Sequence, residues 1–292
     1  MITSIIFSKD RALQLDLTLQ SIQKNFAQSD QINVIYSTSE EKFCSSYDQL
    51  IQDYPNVKFV KQKYSLFCDI SETINAASNN YVCFFTDDNV VFNPVKLNEA
   101  KLKKIFDLQC SCFSLRLGVN SQLRDYGDGQ FRNDVIPQLR MVDDFLIWNR
   151  TTIPIGGYWS YPLSVDGHIF EKATINLFCE ELKVLNKHYS YQGVRREKNC
   201  WRQTPNEFES KLQRFWFDLP PMMASPKESC VVNSPNNRVQ NTAQNRHGDT
   251  YSYSSQQLND LFSEGKRIDM ETIDFKNIKC PHQEIDILEG VS

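Results

Sequence analysis

The sequence predicts an α/β fold, a mixed, mostly parallel sheet flanked by helices. Two observations carry this. Strand-like and helix-like segments alternate over residues 3–85, the rhythm of parallel strands joined by right-handed helical crossovers. The segment 81–85, Tyr-Val-Cys-Phe-Phe, is almost wholly apolar, as expected of a strand covered on both faces. A chain of 292 residues, 40% hydrophobic and 23% charged, has the length and composition to bury such a sheet.

The elements follow in order. Residues 3–7 form a β-branched and aromatic run, and 12–26 place Leu15, Leu19, Ile22 and Phe26 at helical spacing. A strand is expected at 32–36, a helix at 40–54 stopped before Pro55, and a strand at 57–60. Ile70, Ile74 and Ala77 mark one face of a helix over 69–78, before the strand at 81–85. After Pro94 a helix is read at 95–106 and a strand at 112–117. Residues 118–137 are polar, 156–162 are rich in Gly and aromatics, and amphipathic helices are expected at 169–185 and 204–217. The polar span 220–250 reads as one long loop, and a short helix at 254–262 precedes a charged tail. With no repeat and no clear linker, the chain reads as a single domain over 1–292.

Composition excludes several classes. It is not that of a disordered, collagen-like or coiled-coil chain. A formal net charge of −4 speaks against broad phosphate neutralisation, hence against a nucleic-acid partner, while leaving room for a local basic pocket. No run approaches the ~18–20 apolar residues of a membrane span. The N-terminus runs straight into a strand and Lys9-Asp10-Arg11, without the features of a signal peptide. The nine cysteines are scattered and contain no CxxC pair; they read as reduced structural thiols in a cytoplasmic protein.

The strongest chemical signal is Thr86-Asp87-Asp88-Asn89 at the end of the apolar strand. Ligands of open α/β sheets bind beyond the carboxyl ends of strands. Two adjacent carboxylates there repel each other unless a positive group sits between them. Mg²⁺ or Mn²⁺ does this with few protein ligands when phosphates supply the rest. A solvated turn that ends the strand is the other reading.

The surrounding residues resemble a known family. Ser4-Ile5-Ile6-Phe7-Ser8-Lys9-Asp10-Arg11, with Leu15, Thr18, Leu19, Ser21 and Ile22 behind it, is similar to the opening of family-2-like glycosyltransferases of the GT-A fold. Ile74-Asn75-Ala76-Ala77 and the following strand resemble the segment before that family's DxD motif. The match runs over residues 1–95 and is loose beyond. It implies a GT-A-like, Rossmann-type sheet with a nucleotide-sugar-binding half at 1–117 and an acceptor-binding half at 118–292. One carboxylate of the DxD pattern is missing here. The resemblance gives Asp88 and Asn89 as metal ligands and Asp87 as a second ligand or ribose contact. It gives Ser8, Asp10 and Arg11 as contacts to base, ribose or phosphate; Asp10 also suits a helix N-cap.

Two later segments extend the reading. Gly156-Gly157-Tyr158-Trp159-Ser160-Tyr161 concentrates aromatic rings in a loop, a surface on which an acceptor sugar would stack or, alternatively, part of the core. Asp166, before Gly167-His168, stands where inverting GT-A enzymes keep a general base; it equally suits a cap on the helix expected next. Asp143 and Asp144 are alternative bases, and His168 a second contact on the acceptor side. By the same resemblance Arg238 and Arg246 would meet the leaving diphosphate and His247 the metal. The implied activity is metal-assisted, inverting transfer of a sugar from a nucleotide-sugar donor to a hydroxyl of a glycan or lipid-linked glycan. A nucleotidyltransferase or a non-catalytic glycan-binding relative of the fold are the alternatives; the lack of any glycine before Gly118 counts against the former.

Overall fold

A computed structural model describes residues 1–62, 65–126, 130–191, 204–239 and 247–292. The first half alternates as the periodicity requires: β1 (Ile2–Lys9), α1 (Ala12–Asn25), β2 (Ser29–Ser37), α2 (Glu41–Asp53), β3 (Lys58–Lys61), α3 (Leu66–Ala76) and β4 (Tyr81–Thr86). Then come β5 (Asn89–Val91), α4 (Glu99–Asp107), β6 (Cys110–Ser114), β7 (Leu123–Asp125), β8 (Phe131–Asn133), β9 (Arg140–Val142) and β10 (Phe145–Asn149). The chain continues through β11 (His168–Glu171), α5 (Lys172–Tyr191), α6 (Pro205–Leu212), β12 (Met222–Pro226), β13 (Val231–Asn233) and α7 (Ser255–Ser263).

Nine strands form the main sheet in the order β3-β2-β1-β4-β11-β6-β12-β10-β9. The pairs β1–β2, β1–β4, β2–β3 and β6–β12 are parallel. β11 runs against both β4 and β6, and β10 against both β12 and β9. All strands except β10 and β11 therefore point the same way, giving the mixed, mostly parallel sheet that the apolar β4 implied. Strands from both halves of the chain enter it.

The side-chain period of two sorts each strand between two cores. Ile2 and Ile6, Cys83 and Phe85, and Ile169 lie in one cluster. Ile5 and Phe7, Val82 and Phe84, and Phe170 lie in the other. Both faces of β4 are thus dry, and Phe84 and Phe85 are both fully buried.

Several boundaries differ from the periodicity. The helix expected at 95–106 starts only at Glu99, where the Asn98 side chain caps it by accepting from the Lys101 N–H at 2.8 Å. The helix expected at 169–185 begins with β11, whose Ile169 and Phe170 face opposite cores; α5 starts at Lys172. Asp166 consequently precedes a strand and caps no helix. The stretch 118–137 holds the β7–β8 hairpin, and the loop expected at 220–250 holds β12 and β13. The eight described cysteines are free thiols, six of them buried.

Trp159, expected on an acceptor-binding surface, is fully buried. Its ring meets Trp148 edge-on at 4.9 Å, its Nε1 donates to the Ser121 carbonyl at 3.2 Å, and its own carbonyl accepts from Trp148 Nε1 at 2.8 Å. Its role is packing. Trp159→Ala is expected to cost about 3–5 kcal/mol of stability, read as a lower urea midpoint with unchanged slope.

Candidate active site

The carboxyl ends of the co-directional strands converge on one region. β1 delivers Ser8, Lys9, Asp10 and Arg11; β4 delivers Thr86, Asp87 and Asp88; the segment after β6 delivers Arg116. β11 runs the opposite way, so its entry, with Asp166, arrives at the same end. Gly167 fixes this entry: at φ +68 it takes a conformation costly for other residues. Its N–H donates to the Phe84 carbonyl at 2.7 Å and its own carbonyl accepts from the Leu115 N–H at 2.8 Å. Asn233, at the end of β13, pairs with Asn89 of β5 and forms an isolated bridge with His282.

On one side lies the acidic turn. Asp87 is 3% exposed. Its Oδ2 accepts from Ser8 Oγ at 2.9 Å and from the Lys9 N–H at 3.0 Å, and its Oδ1 from Arg11 Nη1 at 2.9 Å. The same Nη1 reaches Asp88 Oδ2 at 2.8 Å, and Asn233 Nδ2 donates to Asp88 Oδ1 at 2.7 Å. Since Ser8 donates its only hydroxyl proton to Asp87, Tyr47 OH, 2.5 Å from Ser8 Oγ, must be the donor in that pair. Arg11 Nη2 also donates to the Asn237 carbonyl. Burial works against the Arg11 charge, but Asp87 and Asp88 outweigh it and hold the guanidinium ionised. Burial pushes the Asp87 carboxyl above its ordinary range, opposed by Arg11.

Asp166 centres the other side. Its Oδ1 accepts from Thr86 Oγ1 at 2.9 Å and its Oδ2 from Arg116 Nη1 at 3.0 Å. Arg116 is 3% exposed, and its guanidinium lies 5.0 Å from the centre of the Tyr158 ring, which stacks on His282. Arg116 Nη1 is also 3.2 Å from His282 Nε2. A guanidinium only donates, so Nε2 accepts and carries no proton. Burial and Arg116 push the His282 pKa down, in keeping with a neutral ring. Burial would raise the Asp166 carboxyl, but the Arg116 guanidinium and the Thr86 hydroxyl hold it below the usual range. Asn233 Nδ2 joins the two sides, reaching Thr86 Oγ1 at 3.1 Å as well as Asp88.

A second carboxylate stands beside Asp166. Glu209, on α6, accepts from the Val165 N–H at 3.2 Å. Burial and the nearby Asp166 push its carboxyl up to about 7. The capping box of Thr204 and Glu207 sets the helix that carries it.

The structure thus gathers Ser8, Arg11, Asp87, Asp88, Tyr158 and Asp166. Asp10, at φ +55, is buried beside them, and its Oδ1 accepts from the Ser39 N–H at 2.7 Å; it does not cap α1, which has no side-chain cap. His168, expected as a contact to the acceptor, lies in the core. It is fully buried, its Nδ1 lies 3.0 Å from the Pro162 carbonyl, and burial and Arg116 push it down to about 3. Asp143 and Asp144 pair with Lys104 and Lys101 of α4 and are exposed, away from the site. Arg238 is exposed, His247 is half-buried, and Arg246 lies outside the described residues.

Arg116, Asn233, His282 and Glu209 escaped the sequence reading. Arg116 left a signal, a lone arginine inside the apolar run Cys112-Phe113-Ser114-Leu115-Arg116-Leu117. His282, brought in by the tail, left none.

For a divalent cation the donors fit in part. Asp88 has a side chain 10% exposed and offers hard oxygen. Asn89 does not fit: it is fully buried and its Oδ1 accepts from the Thr86 N–H at 2.8 Å. Among the described residues no three His, Cys, Asp or Glu side chains gather to hold a metal. Two carboxylates at most are on offer, a set that suits an ion completed by phosphate oxygens.

No family model matches the chain. The bifunctional glycosyltransferase pgtA of Dictyostelium discoideum is 26% identical over 220 residues, 70% of this chain. The match spans about a quarter of that protein, 27% of its length. The resemblance seen in the first strand, helix and acidic turn is thus met by a glycosyltransferase relative. Solved structures offer more distant likenesses. S. aureus TarS is 14% identical, with 61% of this chain and 29% of that chain covered and a TM-score of 0.38. The Pyrobaculum calidifontis mannosyltransferase PcManGT, in complex with GDP-Man and Mn²⁺, is 15% identical, covering 39% and 34%, at 0.29. The 4-diphosphocytidyl-2C-methyl-D-erythritol synthase of Anaerococcus prevotii is 14% identical, covering 76% and 84%, at 0.36. At such scores these likenesses carry no weight for function. Among the described residues no helix is long and apolar enough to cross a membrane.

The Asp166–Arg116 pair is buried, so removing one partner strands the other. Arg116→Met is expected to cost about 3–5 kcal/mol, and Arg116→Met with Asp166→Asn to recover part of it, as measured by chemical denaturation.

Proposed function

We propose that the chain transfers a sugar from a nucleotide-sugar donor to a hydroxyl of a glycan acceptor, free or lipid-linked, with inversion at the anomeric carbon. One observation carries the reading. An acidic turn and a separate carboxylate, Asp166, share a hydrogen-bonded network at the carboxyl ends of the strands, in a chain with a glycosyltransferase relative.

Ser8, Asp10, Arg11 and Asp87 line the donor side. Asp88, with Asp87 behind it, would hold Mn²⁺ or Mg²⁺. A bound ion would neutralise charge on the departing diphosphate. Arg238 follows Asn237, whose carbonyl Arg11 contacts, and would supply further positive charge at the donor side. Tyr158 presents its ring to the acceptor, with Arg116 and His282 fixing its position.

The proton of the acceptor hydroxyl needs a base. Asp166 and Glu209 have environments that drive their affinities for a proton apart, the arrangement that separates acid–base roles. Asp166 is the ionised partner, and both its oxygens already accept hydrogen bonds. Glu209 is the stronger base of the two. In this division Asp166 orients Arg116 and stays charged, while Glu209 takes the proton. A cytoplasmic setting, expected from the free thiols, belongs to the same proposal.

Incubation with UDP-, GDP-, CDP- and dTDP-sugars and Mn²⁺ tests the activity through nucleoside diphosphate release. Asp88→Ala is expected to lower release on the order of a hundredfold. Pyrophosphate release from nucleoside triphosphates would instead favour a nucleotidyltransferase, and no nucleotide binding would sink both. A base must be deprotonated to act, so transfer is expected to rise with pH through about 7 as Glu209 ionises. Glu209→Gln removes that rise and about 10²–10⁴-fold of the rate. Asp166→Asn, which removes the charge that orients Arg116, is expected to keep donor binding and lower transfer.

A further inference from the structure

We infer that Arg11 makes cation capture conditional on the nucleotide: the acidic turn takes Mn²⁺ or Mg²⁺ only together with a nucleoside diphosphate. This rests on the donor site proposed above. Arg11 Nη1 stands between Asp87 Oδ1 and Asp88 Oδ2 at 2.9 and 2.8 Å, where an ion shared by the two carboxylates would sit. All three side chains are buried, with exposures of 8, 4 and 10%. In so dry a place two cations cannot share the same pair of oxygens without strong repulsion.

The remaining carboxylate oxygens are also engaged. Asp87 Oδ2 serves Ser8 and the Lys9 N–H, and Asp88 Oδ1 serves Asn233. Mg²⁺-like ions demand a near-octahedral oxygen shell and dehydrate reluctantly. A free ion would thus have to displace Arg11 and gain at most two protein ligands in return.

A diphosphate changes both sides of this exchange. It brings the oxygens that complete the ion's shell. It also offers the planar fork of Arg11 a new anion. Arg11 Nε is buried and has no acceptor among the described residues, a donor left over for such an anion. The charges point the same way: among the described residues Asp87, Asp88 and Asp166 pair with two guanidiniums, Arg11 and Arg116. A diphosphate entering without an ion would add to the excess of negative charge. Ion and nucleotide therefore enter as one unit, and Arg11 passes from the carboxylates to the phosphate.

Calorimetry on the full chain tests this with Mn²⁺ alone, with UDP or GDP alone, and with both. Wild type is expected to bind Mn²⁺ only when nucleotide is present. Arg11→Gln, which frees the carboxylates, is expected to bind Mn²⁺ alone at least about tenfold more tightly than wild type. Arg11→Lys, which keeps the charge, still excludes it. Binding of Mn²⁺ alone to wild type with the affinity of Arg11→Gln would overturn the inference while leaving the donor site standing. No nucleotide binding under any condition would remove the donor site itself, and the inference with it. Should Arg11→Gln fail to fold, the wild-type comparison with and without nucleotide decides alone.

Discussion

Buried carboxylates cannot stand without compensation, and the site is arranged around that constraint. Asp87 and Asp166 are 3% and 6% exposed. Removing an ionised carboxylate from water costs several kcal/mol unless donors replace the lost hydration. Here the donors come from distant parts of the chain: Arg11 from the β1–α1 turn, Arg116 from beyond β6 and Asn233 from the end of β13. The carboxylates thereby tie the two halves of the chain together at the open end of the sheet.

The same compensation divides the site. Arg11 offsets part of the charge of the acidic turn and Arg116 pairs with Asp166, so each side has its own guanidinium. Thr86 and Asn233 connect them through neutral hydrogen bonds. In the proposed transfer a nucleoside diphosphate would meet the first side and a sugar hydroxyl the second. A glycosyl transfer needs these two chemistries a short distance apart, charge neutralisation at the leaving group and proton acceptance at the nucleophile.

Much of the first half was legible in the sequence because its signals are local. The apolar 81–85 run is β4, and the leucine spacing after Arg11 is α1. The abrupt change from Phe85 to Asp87 marks where the strand meets the site. Local signals also misled. The apolar residues around Ile169 suit a helix as well as a strand, and only the pairing of β11 between β4 and β6 selects the strand. Tyr158 and Trp159 are neighbours in sequence, yet one borders the site and the other fills the core against Trp148. His168, next to a site residue but one, points its ring to the Pro162 carbonyl instead.

By itself the sequence determined the alternation of strands and helices and the acidic turn at the end of β4, since both follow from periodicity and from residue type within short windows. Tertiary structure decided which charges meet. Arg11 and Asp88 are 77 positions apart, Arg116 and Asp166 50, and Arg116 and His282 166. Ion pairing depends on separation in space and on loss of water, and neither is written in the spacing along a chain. That Asp87 and Asp88 end a buried strand as adjacent carboxylates was readable from their place. That Arg11 already holds them, and that Glu209 stands beside Asp166, followed only from the packed sheet.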